Sequence, residues 1–431
     1  MNAMSAKAAS PRIALATMTA MFFMWGFITS LNDVLIPHLK AVFSLNYAQS
    51  MLIQFTFFGA YFIMSLPSGK VVSRIGYRNS IIAGLVVTGL GALLFYPAAT
   101  IPSYPVFLAA FFTLATGITL LQVAANAYVS LLGEARLASS RLNLAQAFNS
   151  VGTTLAPAFG GILILSGAAL AVAPTAQTDT RIAQAQLVQG PYLLLAGTLF
   201  LLALLVFFVH LPSLSAAESE EADEHTFADA LRLRHLRLGV IAIFLYVGAE
   251  VSIGSFLINY ISLPDIGNMS VADAAKYVSF YWGGAMVGRF IGAALLVKAN
   301  PGSVLGACAL AALALLLATM GSHGSVAVFA IVAIGLFNSI MFPNIFTLGI
   351  AALGPLTGKG SSLLIMAIVG GAVVPLLQGV LADAIGVQHA FVLPLVCYAY
   401  IAFYGFRGAR PDAAAGAGAT TSFKLKDQGV S

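Results

Sequence analysis

Charge is what this sequence has least of. Of its 431 residues only 8% are Asp, Glu, Lys or Arg, against about 25% in an ordinary soluble chain. It is 60% hydrophobic, with a mean hydropathy of +0.95. That balance excludes a water-soluble globular protein. It also excludes a nucleic-acid binder, because the net charge of +5 comes from short polar segments between apolar runs. Cysteine is scarce as well. Cys308 and Cys397 both sit in apolar runs, at no spacing that metal or redox sites use. There is no Walker loop, no metal-spaced His/Cys cluster and no Ser/His/Asp arrangement. An ATP-driven pump and a membrane enzyme are therefore set aside, and neither a metal nor a cofactor is expected. The isolated His38, His323 and His389 fall in loops or at the ends of runs and read as surface residues.

What is present is a series of continuous apolar runs of about 20 residues, each long enough to cross a bilayer as a helix. Twelve spans are expected, at 13–37, 48–70, 79–99, 104–132, 142–167, 191–211, 238–262, 274–298, 303–321, 325–352, 360–384 and 388–408. Lys7 and Arg12 precede the first run as in a secretory signal, but the run is too long and lacks a small-residue cleavage site, so it reads as a span. A polar segment, Ser213 to Arg237, divides the spans six and six. It begins acidic (Glu218, Glu220, Glu221, Asp223, Glu224) and ends basic (Arg232, Arg234, Arg237). The expected organisation is a cytoplasmic N-terminus (1–12), a first bundle (13–211), a cytoplasmic linker (212–237), a second bundle (238–408) and a disordered cytoplasmic tail (409–431). Orientation follows from the basic residues. With both termini inside, seventeen lysines and arginines face the cytoplasm, and only Lys40, Arg181 and Lys276 face outward. The longest outer loop is 168–190.

The two halves repeat. Gly288-Arg289 lies 219 positions after Gly69-Lys70, Gly370 lies 218 after Gly152, Asn344 lies 218 after Asn126, and Glu250 lies 217 after Asp33. Two parallel six-helix repeats around a midplane site is a secondary-transporter architecture.

Of the fifteen acids, only Asp33 and Glu250 lie well inside spans, and they occupy corresponding helices. An intramembrane carboxylate costs about 2.5–3.5 kcal/mol on insertion scales and marks a functional site by default. Burial and neighbours tune when such a group takes up a proton, which is the physical basis of proton coupling. The other reading of Glu250 is a fixed hydrogen bond between helices. Uncharged polar residues recur at helical spacing: Trp25, Thr29, Asn32 and Asp33; Gln122 and Asn126; Gln146, Asn149 and Thr153; Tyr246 and Glu250. Later spans add Tyr281, Trp282, Asn338, Asn344 and Gln378. Residues at these spacings share a helix face. Carboxamides donate and accept, and beside an aromatic platform they suit a ligand covered in hydroxyls. Taken singly, each also serves to hold membrane helices together. No cation lies well inside any span except near the cytoplasmic ends, so a neutral substrate fits better than an anion.

The segment Gly69-Lys-Val-Val-Ser-Arg74-Ile-Gly76-Tyr77-Arg78 resembles the loop 2–3 signature of the major facilitator superfamily, with Ser73 where an acid is usual. Gly288-Arg289-Phe290-Ile-Gly292 resembles its second copy. Phe23-Met-Trp-Gly-Phe27, Leu31-Asn-Asp-Val-Leu-Ile-Pro-His38, Gln54-Phe-Thr-Phe-Phe-Gly-Ala-Tyr-Phe62, Leu121-Gln-Val-Ala-Ala-Asn126, Gln146-Ala-Phe-Asn-Ser-Val-Gly152 and Tyr246-Val-Gly-Ala-Glu250 resemble the fucose:proton symporter family, and within it the glucose/galactose transporter branch. The resemblance implies an all-α membrane protein of the major facilitator fold, with two pseudo-symmetric six-helix bundles. It implies proton-coupled symport of a neutral hexose by alternating access in a bacterial inner membrane, driven by the proton gradient, with a monomer sufficing. It assigns proton coupling to Asp33, with Asn149 as its partner. The fucose transporters carry a glutamate where this chain has Gln122, so either Asp33 carries the proton alone or Glu250 takes the second role. Asn32, Gln122, Asn126, Gln146, Asn149, Tyr281, Trp282, Asn338, Asn344 and Gln378 are the candidate sugar contacts. Gly69, Arg74, Gly76, Arg78, Gly288 and Arg289 form the candidate cytoplasmic gate motif. An uncoupled sugar facilitator shares the fold. So does an efflux antiporter, whose signature Gly152…Pro157…Gly160 partly resembles.

Overall fold

Glycine and proline decide where the apolar runs become separate helices. A computed structural model describes residues 11–45, 47–160, 177–209 and 225–411. The acidic part of the linker, the end of the fifth expected span, the outer loop up to 176 and the tail from 412 lie outside the described residues. Among those described, every element is helical. In chain order the helices are α1 (Pro11–Val42), α2 (Tyr47–Thr100), α3 (Tyr104–Leu131), α4 (Ala138–Gly160), α5 (Gln177–Gln186), α6 (Gln189–Phe208), α7 (Phe227–Arg232) and α8 (Arg234–Ile261). They continue as α9 (Val271–Leu295), α10 (Pro301–Gly321), α11 (Gly324–Asn338), α12 (Met341–Gly349), α13 (Thr357–Met366), α14 (Gly370–Ile385), α15 (Val387–Ala390) and α16 (Val392–Phe403).

Two spans are expected over α2, and Gly76 separates them. Its φ of 75° and ψ of 169° interrupt the helix, a conformation that only glycine adopts without strain. The reverse happens at 325–352, where one expected span forms α11 and α12. Pro343 has no N–H for the carbonyl four residues back, and its ring crowds that carbonyl. The carbonyl belongs to Ser339, and it accepts a hydrogen bond from Arg289 Nε at 3.2 Å. Within the expected outer loop the chain forms α5, because Ala and Gln favour helix. His38 Nε2, near the C-terminal end of α1, donates to the Gln184 carbonyl at 2.9 Å. Helix α9 begins three residues before its expected span, because Ser270 caps it by accepting from the Asp273 N–H at 3.2 Å.

The chain forms two compact units, 1–133 with 144–213, and 134–143 with 214–431. In the first, α2 packs along α3 and α6. Phe95 stacks on Tyr192 with ring centres 4.0 Å apart, and α3 is buried continuously from Gly117 to Ser130. Helix α1 meets α4 through glycines: a Cβ on Gly26 would strike the Asn149 carbonyl, and one on Gly152 the Phe23 carbonyl. In the second unit α8 meets α14 in the same way. A Cβ on Gly248 would strike Val374, and one on Gly370 the Phe244 carbonyl. The pair Gly152 and Gly370, matched in the sequence repeat, therefore makes one helix crossing twice.

The second unit also holds the segment 134–143. Ser139 Oγ and Thr347 Oγ1 lie 2.6 Å apart, Ser140 Oγ donates to the Ala293 carbonyl at 2.6 Å, and Asn143 Nδ2 donates to Asn344 Oδ1 at 2.9 Å. Arg136 donates to the Val297 carbonyl at 2.9 Å.

Large apolar side chains stand exposed on both units, with Phe55 and Leu376 at 71% and Phe208 and Phe329 at 66%. Water does not tolerate so continuous a surface; hydrocarbon does. Among the described residues, nine helical stretches are long and apolar enough to cross a membrane. Counting α2 as two and adding the more polar α4 and α9 gives twelve.

Candidate functional site

Each unit buries a cluster of polar side chains, uncharged in the first and including the carboxyl of Glu250 in the second, and each is built around one helix. In the first unit that helix is α3. Its buried Gln122 donates through Nε2 to the Tyr61 hydroxyl at 2.5 Å, and the Trp25 side chain also reaches that hydroxyl. One turn on, Asn126 Oδ1 accepts from Gln146 Nε2 of α4 at 3.2 Å. The i, i+4 spacing of Gln122 and Asn126 thus sets two carboxamides on one face, as the sequence predicts. Asn126 Nδ2 is buried with no partner among the described residues. An unmet buried donor costs about 1–3 kcal/mol, so this nitrogen is a group that a ligand hydroxyl or water would satisfy.

Asn149 takes a main-chain partner. Its Nδ2 donates to the Phe22 carbonyl at 2.9 Å, and Thr153 Oγ1 donates to the Asn149 carbonyl at 3.0 Å. Phe22 lies eleven residues before Asp33 on α1, about three helical turns away. Asn149 is thus engaged at the Phe22 level of α1. The side chains of Asn32 and Asp33 lie outside the described residues.

In the second unit the helix is α8. Tyr246 donates to Glu250 Oε1 at 2.7 Å, across one turn. The same hydroxyl lies 3.1 Å from the main-chain carbonyl of Asn338, the last residue of α11. The Asn338 side chain is a hub. Its Nδ2 donates to the Tyr281 hydroxyl at 2.7 Å, and its Oδ1 accepts from the Tyr398 hydroxyl at 2.6 Å. Tyr281 in turn donates to the Glu250 carbonyl at 3.3 Å. Tyr246, Tyr281, Tyr398 and Asn338 are all sealed from solvent, whereas Glu250 keeps 9% of its surface exposed. Trp282 packs edge-on against Tyr281 and is 37% exposed. Gln378 on α14 is fully buried, and neither its Nε2 nor its Oε1 has a partner among the described residues.

The remaining sequence candidates fall elsewhere. Asn344 is spent on Asn143 and, through Nδ2, on the Pro301 carbonyl at 3.3 Å; it belongs with the segment 134–143. Arg78 donates to the Phe207 carbonyl at the C-terminal end of α6 and lies over the Phe207 ring, 5.8 Å from its centre. That is the favourable place for a cation on a helix dipole. Gly69 is buried and Arg74 is exposed. Gly288 presses on Ser339 at the α11 break, beside the Arg289 bond. Sequence reasoning missed Tyr61, Asn143 and Tyr398. Tyr398 stands in an apolar run without polar periodicity, so no pattern flags it. Tyr61 carries a signal only through its place in the Gln54–Phe62 string.

The profile of the Major Facilitator Superfamily matches residues 13–367. A glucose/galactose transporter of Brucella abortus is 54% identical over 398 residues, covering 92% of this chain and 94% of the relative. The L-fucose-proton symporter of Escherichia coli is 37% identical over 406 residues, 90% of this chain and 91% of the relative. A crystal structure of the E. coli fucose:proton symporter superposes with a TM-score of 0.84 at 35% identity, covering 92% of this chain and 98% of that one.

Proposed function

Because the chain belongs to the Major Facilitator Superfamily, we propose that it is a proton-coupled hexose symporter of the glucose/galactose type, working by alternating access in a bacterial inner membrane with both termini cytoplasmic. The observation that carries the reading is the pair of buried, uncharged amide and hydroxyl clusters, with Asn126 Nδ2 and both polar atoms of Gln378 left unpartnered among the described residues. Such groups match a sugar's hydroxyls, each of which donates and accepts. The names of the relatives agree with that chemistry. Gln122, Asn126 and Gln146 supply sugar contacts from the first unit, with Asn149 beside them on α4. Tyr281, Trp282, Asn338 and Gln378 supply them from the second. Asp33 and Glu250 carry the proton, the proton gradient is the energy source, and a monomer suffices.

Counterflow in proteoliposomes with glucose, galactose, fucose, mannose and N-acetylglucosamine tests the sugar assignment. Labelled glucose or galactose should exchange, and exchange of none of the five would refute it. Sugar-driven alkalinisation of the medium tests the coupling. Asp33→Asn should abolish it while keeping part of the counterflow, and proton-coupled accumulation surviving in that variant would remove Asp33 from the scheme. Uptake that ignores a proton gradient in the unmodified protein would identify an uncoupled facilitator. Outward pumping of apolar compounds would identify an efflux antiporter.

A further inference from the structure

The Tyr246 hydroxyl has one hydrogen and two acceptors within reach: Glu250 Oε1 at 2.7 Å and the Asn338 carbonyl at 3.1 Å. The second acceptor is no ordinary carbonyl. It closes α11 at the break that Pro343 makes, next to the Ser339 carbonyl that Arg289 holds.

We infer that Tyr246 is a positioning residue that reports the protonation state of Glu250 to the break between α11 and α12. The inference rests on the reading of Glu250 as a proton-carrying group. When Glu250 is ionised, the phenol hydrogen points to Oε1, because a charged acceptor outcompetes a neutral one. When Glu250 takes a proton through its exposed edge, the carboxyl becomes a donor. Its new O–H donates to the tyrosine oxygen, and the phenol hydrogen turns to the Asn338 carbonyl. The covalent O–H bond of the phenol stays intact, its hydrogen bond to Oε1 is exchanged for one to the Asn338 carbonyl, and the only proton gained is the one on Glu250. The carbonyl at the end of α11 therefore gains a donor when Glu250 is protonated and loses it when Glu250 is ionised.

The surroundings favour a switch confined to this hydroxyl. Facing Glu250 from α9 are Tyr281, which binds the Glu250 main chain, and Arg289, whose charge attracts the carboxylate. From α16 comes Tyr398, which is committed to the Asn338 side chain. From α11 comes Asn338 itself, and α12 brings no charged residue. Helix α14 packs on α8 near Gly370 and Val374, and its one charge, the exposed Asp383, lies nine residues beyond Val374. Tyr246 joins the carboxyl to the end of α11 by hydrogen bonds from one hydroxyl, whereas Arg289 bonds to the adjoining Ser339 carbonyl and acts on the carboxyl through its charge.

Amide hydrogen exchange across 339–344, measured over a pH series on the purified protein and corrected for intrinsic rates, tests the link. The unmodified protein should show protection at Ser339, Ile340, Met341 and Phe342 that changes with pH. Tyr246→Phe and Glu250→Gln should each lose that change. Tyr260→Phe, which removes an equally buried hydroxyl from the same helix, bonded to Thr319, should retain it. If Glu250→Gln loses the pH response and Tyr246→Phe keeps it, the inference fails while Glu250 stands as the titrating group. If Glu250→Gln also keeps it, Glu250 is not the proton carrier. Should Tyr246→Phe fail to fold, a flat profile in the unmodified protein overturns the inference, and a profile flattened only by Glu250→Gln supports it.

Discussion

Gln378→Leu sets the cost of a binding group against the stability of the empty protein. Gln378 is fully buried, and neither end of its carboxamide has a partner among the described residues. Burying an unmet amide costs about 1–3 kcal/mol on protein scales. Leucine keeps most of the volume and removes both polar atoms. The ligand-free variant should therefore be more stable by about 1–3 kcal/mol. Affinity should move the other way. One or two neutral hydrogen bonds to a sugar, at about 0.5–1.5 kcal/mol each, correspond to binding weakened roughly 2-fold to 140-fold, since tenfold is about 1.4 kcal/mol. Thermal unfolding of the purified protein, with and without a saturating sugar, reads both effects. The variant should melt higher when empty and gain less from sugar. A variant no more stable than the parent would mean that the amide is already satisfied. A stabilised variant with unchanged sugar affinity would remove Gln378 from the site.

Other expectations follow from the packing and from the end of α1. Gly152→Ala and Gly370→Ala should each destabilise by about 1–3 kcal/mol, the usual range for overpacking, because each Cβ meets a carbonyl. Gly59→Ala, with open space around it, should be neutral, and melting temperatures compare the three. Asn344→Ala should cost about 1–2 kcal/mol of stability yet leave sugar affinity in equilibrium binding unchanged, because both ends of that amide are spent within the protein. His38 is buried against Gln184, and burial holds its pKa below the ordinary histidine value despite the hydrogen bond. A histidine with a lowered folded pKa supports the fold while neutral, so this contribution is full above about pH 6.5 and is lost as pH falls toward the folded value. The parent should lose more thermal stability between neutral and mildly acid pH than His38→Gln does; equal losses would discount the contact.

The fold was legible because a membrane helix must be long and apolar, and twelve runs meet that condition. The helix breaks were less so. Gly76 is visible as a glycine in a polar loop, whereas the α11–α12 break depends on Pro343 inside an apolar run, where neighbouring helices decide whether the helix bends or parts. For the site, spacing found Gln122, Asn126 and Glu250, because 3.6-residue periodicity puts polar side chains on one face. It had no means of separating Asn338 from Asn344. Both are asparagines in the same expected span, yet one is the hub of a tyrosine cluster and the other ties down the segment 134–143. That difference lies in which helices come alongside. Tyr398 was invisible for the same reason: a tyrosine in an apolar run acquires meaning only when an acceptor is brought to its hydroxyl.

The way the segment 134–143 is fastened sets what the electrical state of the cell does to it. Ser139, Ser140 and Asn143 hold it through neutral hydroxyls, amides and carbonyls, while the exposed Arg136 bonds to the Val297 carbonyl and pairs with Glu134 of the same segment at 3.6 Å. Bonds between uncharged groups are not screened by salt as ion pairs are, so changes in ionic strength leave the fastening intact. Groups without charge also do no work when the membrane potential changes, whereas each elementary charge crossing the whole field is worth about 2.3 kcal/mol per 100 mV. The response of this protein to voltage is thus carried by its charged groups, Glu134, Arg136 and Arg141 of this segment among them, and by its proton, while the neutral attachments through Ser139, Ser140 and Asn143 are indifferent to it.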